Sequence, residues 1–458
     1  MKVNLLVAEI GSTTTVINAF NQINSPCPKF LGQGQAPTSV LEGDVNIGLR
    51  KAIEDLANNL KVDKVDYDEL IATSSAAGGL RMTVHGLVYD MTVKAAKEAA
   101  LGAGANIKLV TAGRLRKSDL KKIREIKPNI ILIAGGVDYG ERDTALYNAE
   151  LISEMDLEIP VIYAGNIENH EEVRELFEDR KSELYIVENV YPKIDQLNIE
   201  PTRKVIQQVF EEHIIHAPGM QKVRELVNGP IMPTPGAVME AAKLLYNEIG
   251  DLMVLDVGGA TTDVHSVTEG SEEINRILIN PEPFAKRTVE GDLGVYVSMQ
   301  NVVNIVGKEK LADKLNIALD KLEDIIENHS PIPKSEMDIR FTEVLTYYAV
   351  INAVKRHAGS LRYIYGPGGK KTIAEGKDLT GVKYIIGTGG ALTRLPNRVS
   401  IMEQIPLNNK GNELLPTKEA KVLIDNYYIM ASLGVMSKKY PEAALKLLKE
   451  SLHIIENS

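Results

Sequence analysis

The sequence predicts an α/β protein of two related lobes, with a parallel α/β domain inserted into the first lobe. Three observations predict it. A hairpin of strand, acidic residue, glycine turn, hydroxyls and strand occurs twice, at Leu5–Ile17 and at Met253–Val267. Between them, from about Asn106 to Val190, short apolar runs alternate with charged segments of helical spacing, the pattern of βαβ units and a parallel sheet. At 458 residues the chain has room for two to four domains.

Taken in order, residues 2 to 36 read as three short strands. Asp44–Leu60 carries apolar residues at helical intervals (Val45, Leu49, Ile53, Leu56, Leu60) behind an N-terminal acid, and Glu69–Thr73 is a further strand. Ile107–Val110, Ile130–Ile133, Val161–Tyr163 and Leu184–Val187 are buried-strand candidates, separated by helices at Ser118–Ile126, Arg142–Met155 and Glu171–Asp179. Pro201–Leu226 and Ala237–Ile249 read as helical, with the Asn228-Gly229-Pro230 turn between them. Met337, Phe341, Val344, Leu345, Tyr348, Ile351 and Val354 trace one face of a long helix, and helices are expected from Lys418 onward. The expected divisions are 1–105 for the first part of lobe I, 106–192 for the insert and 193–250 for the return to lobe I. Lobe II then spans 251–423, and 424–458 form C-terminal helices crossing back to lobe I.

The two hairpins carry the chemistry. Glycines without a Cβ let the backbone close on a bulky anion, and their N–H groups can point at phosphate oxygens. Asp256 and Asp263 flank the second turn, where a divalent cation and its waters could be held. Two phosphate-type hairpins far apart in one chain imply a nucleotide clamped between two related domains. Composition narrows the rest. A net charge of −10 argues against bulk binding to nucleic acid or anionic membrane. No apolar run approaches a bilayer span and no leader pattern precedes the first strand, so a cytoplasmic setting is expected. Cys27 is the only cysteine, which excludes a disulfide framework within one chain. Gly366–Thr372 lacks the P-loop glycine spacing and reads instead as an exposed turn or hairpin.

The doubled hairpin resembles the actin, hexokinase and heat-shock-70 superfamily of ATPases, whose fold is bilobal and ribonuclease-H-like in each half. Three further segments fit it in the required order. Tyr384–Pro396 is similar to the adenosine motif, Pro233–Val238 to the first connecting motif and Ile429–Val435 to the second. The resemblance implies ATP and Mg²⁺ as cofactors. It places Gly11, Ser12, Thr13 and Thr14 on the terminal phosphates, and Gly258, Gly259, Thr261 and Thr262 around the phosphates of the second hairpin. Gly291 and Asp292 fall near ribose or phosphate, and Gly389, Gly390, Thr393 and Arg394 on the adenosine. Asp256 and Glu9 would face the metal, with Asp263 as a third catalytic acid. Glu9 departs from the superfamily, which has Asp there, and its longer arm shifts the charge by roughly one methylene at a metal that demands near-ideal octahedral geometry. Ile231-Met232 also stands where heat-shock ATPases place a Glu before Pro-Thr, so no general base is evident and slow hydrolysis is expected.

A closer resemblance covers nearly the whole chain. Ala72–Met82, Leu109–Gly113, Ile133–Asp138 and Arg287–Gly294 look like the MutL family associated with coenzyme-B12-dependent glutamate mutase and related aminomutases, unrelated to the mismatch-repair protein of that name. The resemblance implies a chaperone-like ATPase that reactivates an adenosylcobalamin-dependent mutase; the insert, which distinguishes this chain from a bare ATPase, is the expected mutase-facing surface. Activators of 2-hydroxyacyl-CoA dehydratases share the nucleotide fold but need a cysteine-ligated cluster that this chain cannot supply. A small-molecule kinase of the sugar or acyl type, or a scaffold that binds nucleotide without hydrolysing it, remain the alternatives.

Overall fold

In the computed structural model, which describes residues 1–11, 14–76, 79–216, 219–366 and 369–454, the chain divides into two units. Unit 1 comprises Met1–Ala241 and Ala431–Leu447, and unit 2 comprises Ala242–Met430 and Leu448–Ser458.

Among the described residues, unit 1 holds ten strands: β1 (Lys2–Ile10), β2 (Thr14–Asn21), β3 (Lys29–Pro37), β4 (Asp66–Ser74), β5 (Arg81–Gly86), β6 (Asn106–Ala112), β7 (Ile130–Ile133), β8 (Val161–Tyr163), β9 (Leu184–Ile186) and β10 (Ile231–Pro233). One sheet runs β3-β2-β1-β4-β10, antiparallel across β1, β2 and β3 and parallel from β1 to β4 to β10. The helix Val45–Asn59 forms where apolar spacing predicts it. Asp44 caps it by accepting from the Asn46 N–H, and Val45, Leu49, Ala52 and Leu56 are buried. The helix Glu200–His213 is shorter than the expected Pro201–Leu226; beyond it the described residues form only 3₁₀ turns, at Ile214–His216 and Val223–Glu225.

The second sheet of unit 1 is wholly parallel, in the order β6-β5-β7-β8-β9. It takes in Arg81–Gly86, upstream of residue 106 where the insert was expected to begin. Its two faces are covered differently. Ile123, Ala145, Ala149, Ile152, Val173 and Phe177 pack with Ile131 and Ile133 on one face. Met82, Val84, Ile130 and Leu132 belong on the other face to a core continuous with Leu6, Ala8 and Ile10 of β1. The parallel sheet is therefore not a detachable module: it shares its core with the first sheet.

Unit 2 repeats the plan of the first sheet. Its strands are β11 (Leu252–Val257), β12 (Thr262–Val267), β13 (Ala285–Glu290), β14 (Ser360–Gly366), β15 (Gly369–Glu375), β16 (Tyr384–Thr388) and β17 (Lys421–Ile424). The order β13-β12-β11-β16-β17 has the same sequence of antiparallel and parallel neighbours as β3-β2-β1-β4-β10, so the chain is a duplicated ribonuclease-H-like fold. β17 corrects the expectation of helices from Lys418 onward: Lys421–Ile424 is a strand, and the next helix is Met430–Met436. The long helix Glu336–His357 opens with a capping box between Ser335 and Asp338 and packs Phe341, Leu345, Ala349 and Val350 against Leu255, Val264 and Ile385. β14 and β15 form a separate two-stranded ribbon. No helix among the described residues is long and apolar enough to cross a membrane.

Candidate functional site

The second hairpin turns at Gly258–Thr261, between β11 and β12, closed by a hydrogen bond from the Gly258 N–H to the Thr261 carbonyl of 2.9 Å. The segment Val295–Ser298 occupies its carbonyl side. The Val295 N–H donates to Gly258 O at 3.2 Å, those of Tyr296 and Val297 to Gly259 O at 2.9 and 2.7 Å, and Ser298 Oγ to Ala260 O at 2.8 Å. Gly294 allows this approach, since a Cβ there would strike the Gly259 carbonyl and the Ala260 backbone. With every carbonyl from 258 to 260 engaged, the N–H groups of Gly259 and Ala260 donate to no described residue. The turn thus presents two amide donors to an outside acceptor, the arrangement of an anion-binding nest.

Asp256 and Asp263 are direct cross-strand partners. Like charges so placed repel, and the structure separates their roles. Arg287, on β13, donates from Nε to Asp263 at 2.8 Å and from a second nitrogen at 2.6 Å, with both side chains less than a tenth exposed. Thr261 Oγ1 donates to the other Asp263 oxygen at 3.2 Å. Asp263 is therefore the buried half of an ion pair, and Asp256, half-buried at the end of β11, is the acid beside the turn. His265, two residues along on the same strand face, is fully buried and held well below the usual imidazole range, first by burial and then by the Arg287 charge.

The β16 end meets Asp256 from the other side. Thr388 is Asp256's parallel register partner, and Gly389 follows at φ +81°, where a Cβ would collide with Asp256 Oδ1 and the Val257 backbone. Only glycine satisfies both that conformation and that approach. Gly390 and Arg394 are exposed, and Thr393 Oγ1 donates to Gly389 O at 2.9 Å. A residue the sequence reading missed sits behind this corner. Asp425 is fully buried and accepts from Thr388 Oγ1 (3.0 Å), Ser451 Oγ (2.7 Å) and the N–H groups of Ile429 (3.2 Å) and Met430 (2.9 Å). Burial pushes its carboxyl above the ordinary Asp range, against those four donors.

Not every expected contact residue turns outward. Thr262 Oγ1 is buried and donates to Leu293 O at 2.7 Å, so its hydroxyl is committed to the core rather than to a phosphate. Gly291 is exposed, but Asp292 is gripped by Arg356 through two bonds of 2.6 and 2.9 Å, a clamp that also takes Glu290 at 2.6 Å and holds Asp292 below the usual carboxylate range.

In unit 1 the first hairpin closes through the Gly11 N–H to Thr14 O at 3.0 Å, with Thr14 exposed; Ser12 and Thr13 lie outside the described residues. Glu9 Oε1 accepts from Ser432 Oγ at 2.6 Å and Asn18 Nδ2 at 3.3 Å, and Asn18 Nδ2 also reaches Ser432 Oγ at 2.9 Å. The longer arm of Glu9 spans to the helix Met430–Met436, whose Gly434 lies where a Cβ would strike Ala237 O. Among the described residues no group of three or more His, Cys, Asp or Glu side chains is placed to hold a metal ion. Asp256 beside an amide nest instead fits Mg²⁺, which keeps several waters and is bound through one or two carboxylates plus phosphate oxygens.

Residues 5–452 match the protein family described as "MutL protein". "Protein MutL" of Clostridium tetanomorphum is 36% identical over 462 aligned residues, covering 98% of each chain. Among solved structures, nucleotide-free acetone carboxylase aligns with a TM-score of 0.42 at 11% identity, over 95% of this chain and 70% of that one. Diol dehydratase-reactivating factor in nucleotide-free form aligns at 0.40 and 10% identity, over 95% and 99%.

Proposed function

The chain belongs to the MutL protein family, and from that membership we propose that it is an ATP-dependent, chaperone-like factor that reactivates an adenosylcobalamin-dependent mutase, glutamate mutase or a related aminomutase. The observation that carries the nucleotide part is the Gly258–Thr261 turn, whose carbonyls from 258 to 260 are taken up by Val295–Ser298 while the Gly259 and Ala260 amides donate to no described residue.

We assign the phosphates to those two amides, the metal with its hydration shell to Asp256, and the adenosine to Gly389, Gly390, Thr393 and Arg394. Bound Mg²⁺ would supply charge neutralisation on the phosphates. Gly11 and Thr14 are assigned to phosphate binding, and Glu9 to metal, on the family pattern alone. Asp263 acts through its partners: paired to Arg287, it fixes β12, the strand that follows Thr261. Asp292 similarly holds the Gly291 turn to Arg356. The slow hydrolysis expected from the missing glutamate before Pro233 suits a timer more than a metabolic enzyme.

The mutase-facing surface is assigned to the parallel sheet of unit 1. Support comes from Val88, Tyr89, Tyr139 and Ile167, exposed large apolar side chains that follow the carboxyl ends of β5, β7 and β8. Because that sheet shares its core with the first sheet, point substitutions such as Tyr139→Asp test the surface better than deletion. The deciding experiment measures ATP hydrolysis with Mg²⁺, alone and with cobalamin-inactivated mutase, and recovery of mutase activity on adding fresh adenosylcobalamin. Hydrolysis and recovery should both be lost in Asp256→Ala. ATP binding without recovery would rule out the reactivase, and a phosphorylated small-molecule product would make the chain a kinase.

A further inference from the structure

The ribbon of β14 and β15 has no part in the nucleotide site, and its two halves differ sharply. At the base both edges are pinned. Leu361 N–H donates to Asn412 O at 2.7 Å on one side; on the other, Ile279 N–H donates to Ala374 O at 3.0 Å and Ala374 N–H to Ile277 O at 2.8 Å. Beyond the base, Arg362, Tyr363, Ile364 and Tyr365 on one strand and Gly369, Lys370 and Lys371 on the other are exposed; Pro367 and Gly368 lie outside the described residues.

Tyr365 is 79% exposed, Ile364 48% and Tyr363 45%, a concentration of large apolar surface that a two-stranded ribbon does not need for its own stability. Lys370 pairs across the ribbon with Tyr365 and sits 3.5 Å from the Tyr363 ring centroid, and Lys371 pairs with Ile364. Arg362 is balanced by Glu375 at 2.8 Å, whereas neither lysine makes an ion pair with a described residue. The outer half is thus an aromatic and cationic tip on a chain of net charge −10.

We propose that this outer half is a docking arm for an acidic patch of the mutase, a contact additional to the parallel-sheet surface assigned above; the identity of the partner rests on the function proposed above. Charge complementarity selects the occupant. Two copies meeting tip to tip in an isologous contact would set lysines against lysines. A nucleic acid, charged along its whole length, would be repelled by the rest of an acidic chain, whereas a local acidic patch on a protein meets only the tip. An acidic protein patch satisfies the two ammonium groups while Tyr363 and Tyr365 supply the anchors that dominate protein interfaces.

The test uses the full chain and purified, cobalamin-inactivated glutamate mutase, titrated at low and at physiological salt, with ATP binding as the folding control. Lys370→Glu/Lys371→Glu should weaken mutase binding by about tenfold or more and remove most of its salt dependence. Tyr365→Ala, which leaves the charge intact, should weaken it by about tenfold with the salt dependence retained. ATP affinity should not change in either. Wild-type affinity in both variants would overturn the arm while leaving the reactivase standing. Failure of the wild-type chain to bind mutase would remove both. A self-association dissolved by the lysine reversal, or binding of a single-stranded RNA oligonucleotide that the reversal abolishes, would overturn the arm in favour of a second copy or of nucleic acid.

Discussion

Replacing Arg287 by Met tests whether the structure separates Asp256 from Asp263 as described. The two Arg287 nitrogens lie 2.8 and 2.6 Å from Asp263 Oδ1, and the residues are 3% and 7% exposed. Unit charges about 4 Å apart at an effective dielectric near 20 attract by about 4 kcal/mol. Removing one member of a buried pair commonly costs about 3–5 kcal/mol, because the other is left uncompensated. We therefore expect Arg287→Met to destabilise unit 2 by about 3–5 kcal/mol at pH 7. Replacing both partners, Arg287→Met with Asp263→Leu, should recover most of that loss. Urea titrations read by hydrogen exchange at β12 and β13 report on unit 2 without assuming one transition for the whole chain. A cost below about 1 kcal/mol, as for an exposed pair, would refute the reasoning, as would a double variant no more stable than the single one.

Three further outcomes follow from the geometry. Gly389→Ala should cost about 1–3 kcal/mol through its left-handed backbone and, by displacing the Asp256 carboxylate, weaken Mg-ATP binding at least about tenfold, measured by calorimetry; unchanged affinity would detach Asp256 from the metal. Asp425→Asn turns an acceptor of four donors into a group that presents its own N–H₂ to some of them, and should destabilise unit 2 by about 2–4 kcal/mol; a neutral effect would contradict its role behind Thr388. His85 is fully buried between Thr83 and Thr111 hydroxyls, and burial lowers it from 6.5 to about 4. A folded-state pKa below the unfolded one means stability that is complete above pH 6.5 and lost as pH falls toward 4, the Asp119 charge opposing the shift. The loss amounts to about 3 kcal/mol, and His265 and His357, also held low by burial, add in the same direction. A flat unfolding midpoint between pH 7 and 5 would show that these imidazoles are not buried neutral.

The glycine turns were legible because their signal is local. A strand that ends in acid, glycine and hydroxyls states its own hairpin, and two such hairpins announce a duplication that the matching strand orders realise. Periodicity located the helices Val45–Asn59 and Glu336–His357 for the same reason. It missed β17, since four residues are too few to display a period of two.

Which acid does what could not be read locally. Asp256 and Asp263 look alike in the chain, and it is the pairing of β12 with β13 that brings Arg287 onto Asp263. Glu9 looked like a misfit at a metal site until the helix Met430–Met436 returned Ser432 to it across 423 residues. Asp425 carried no motif at all, because its role is to accept hydrogen bonds from Thr388, Ile429, Met430 and Ser451, a set that exists only once the strand end and two helices have met. The sequence by itself determined the family, the doubled α/β plan and the two glycine turns, since each depends on neighbours within a dozen residues. Tertiary structure alone decided which carboxylates are neutralised, which hydroxyls are buried and which amides are left to donate outward, because charge compensation and hydrogen-bond satisfaction depend on partners that the chain brings from far away.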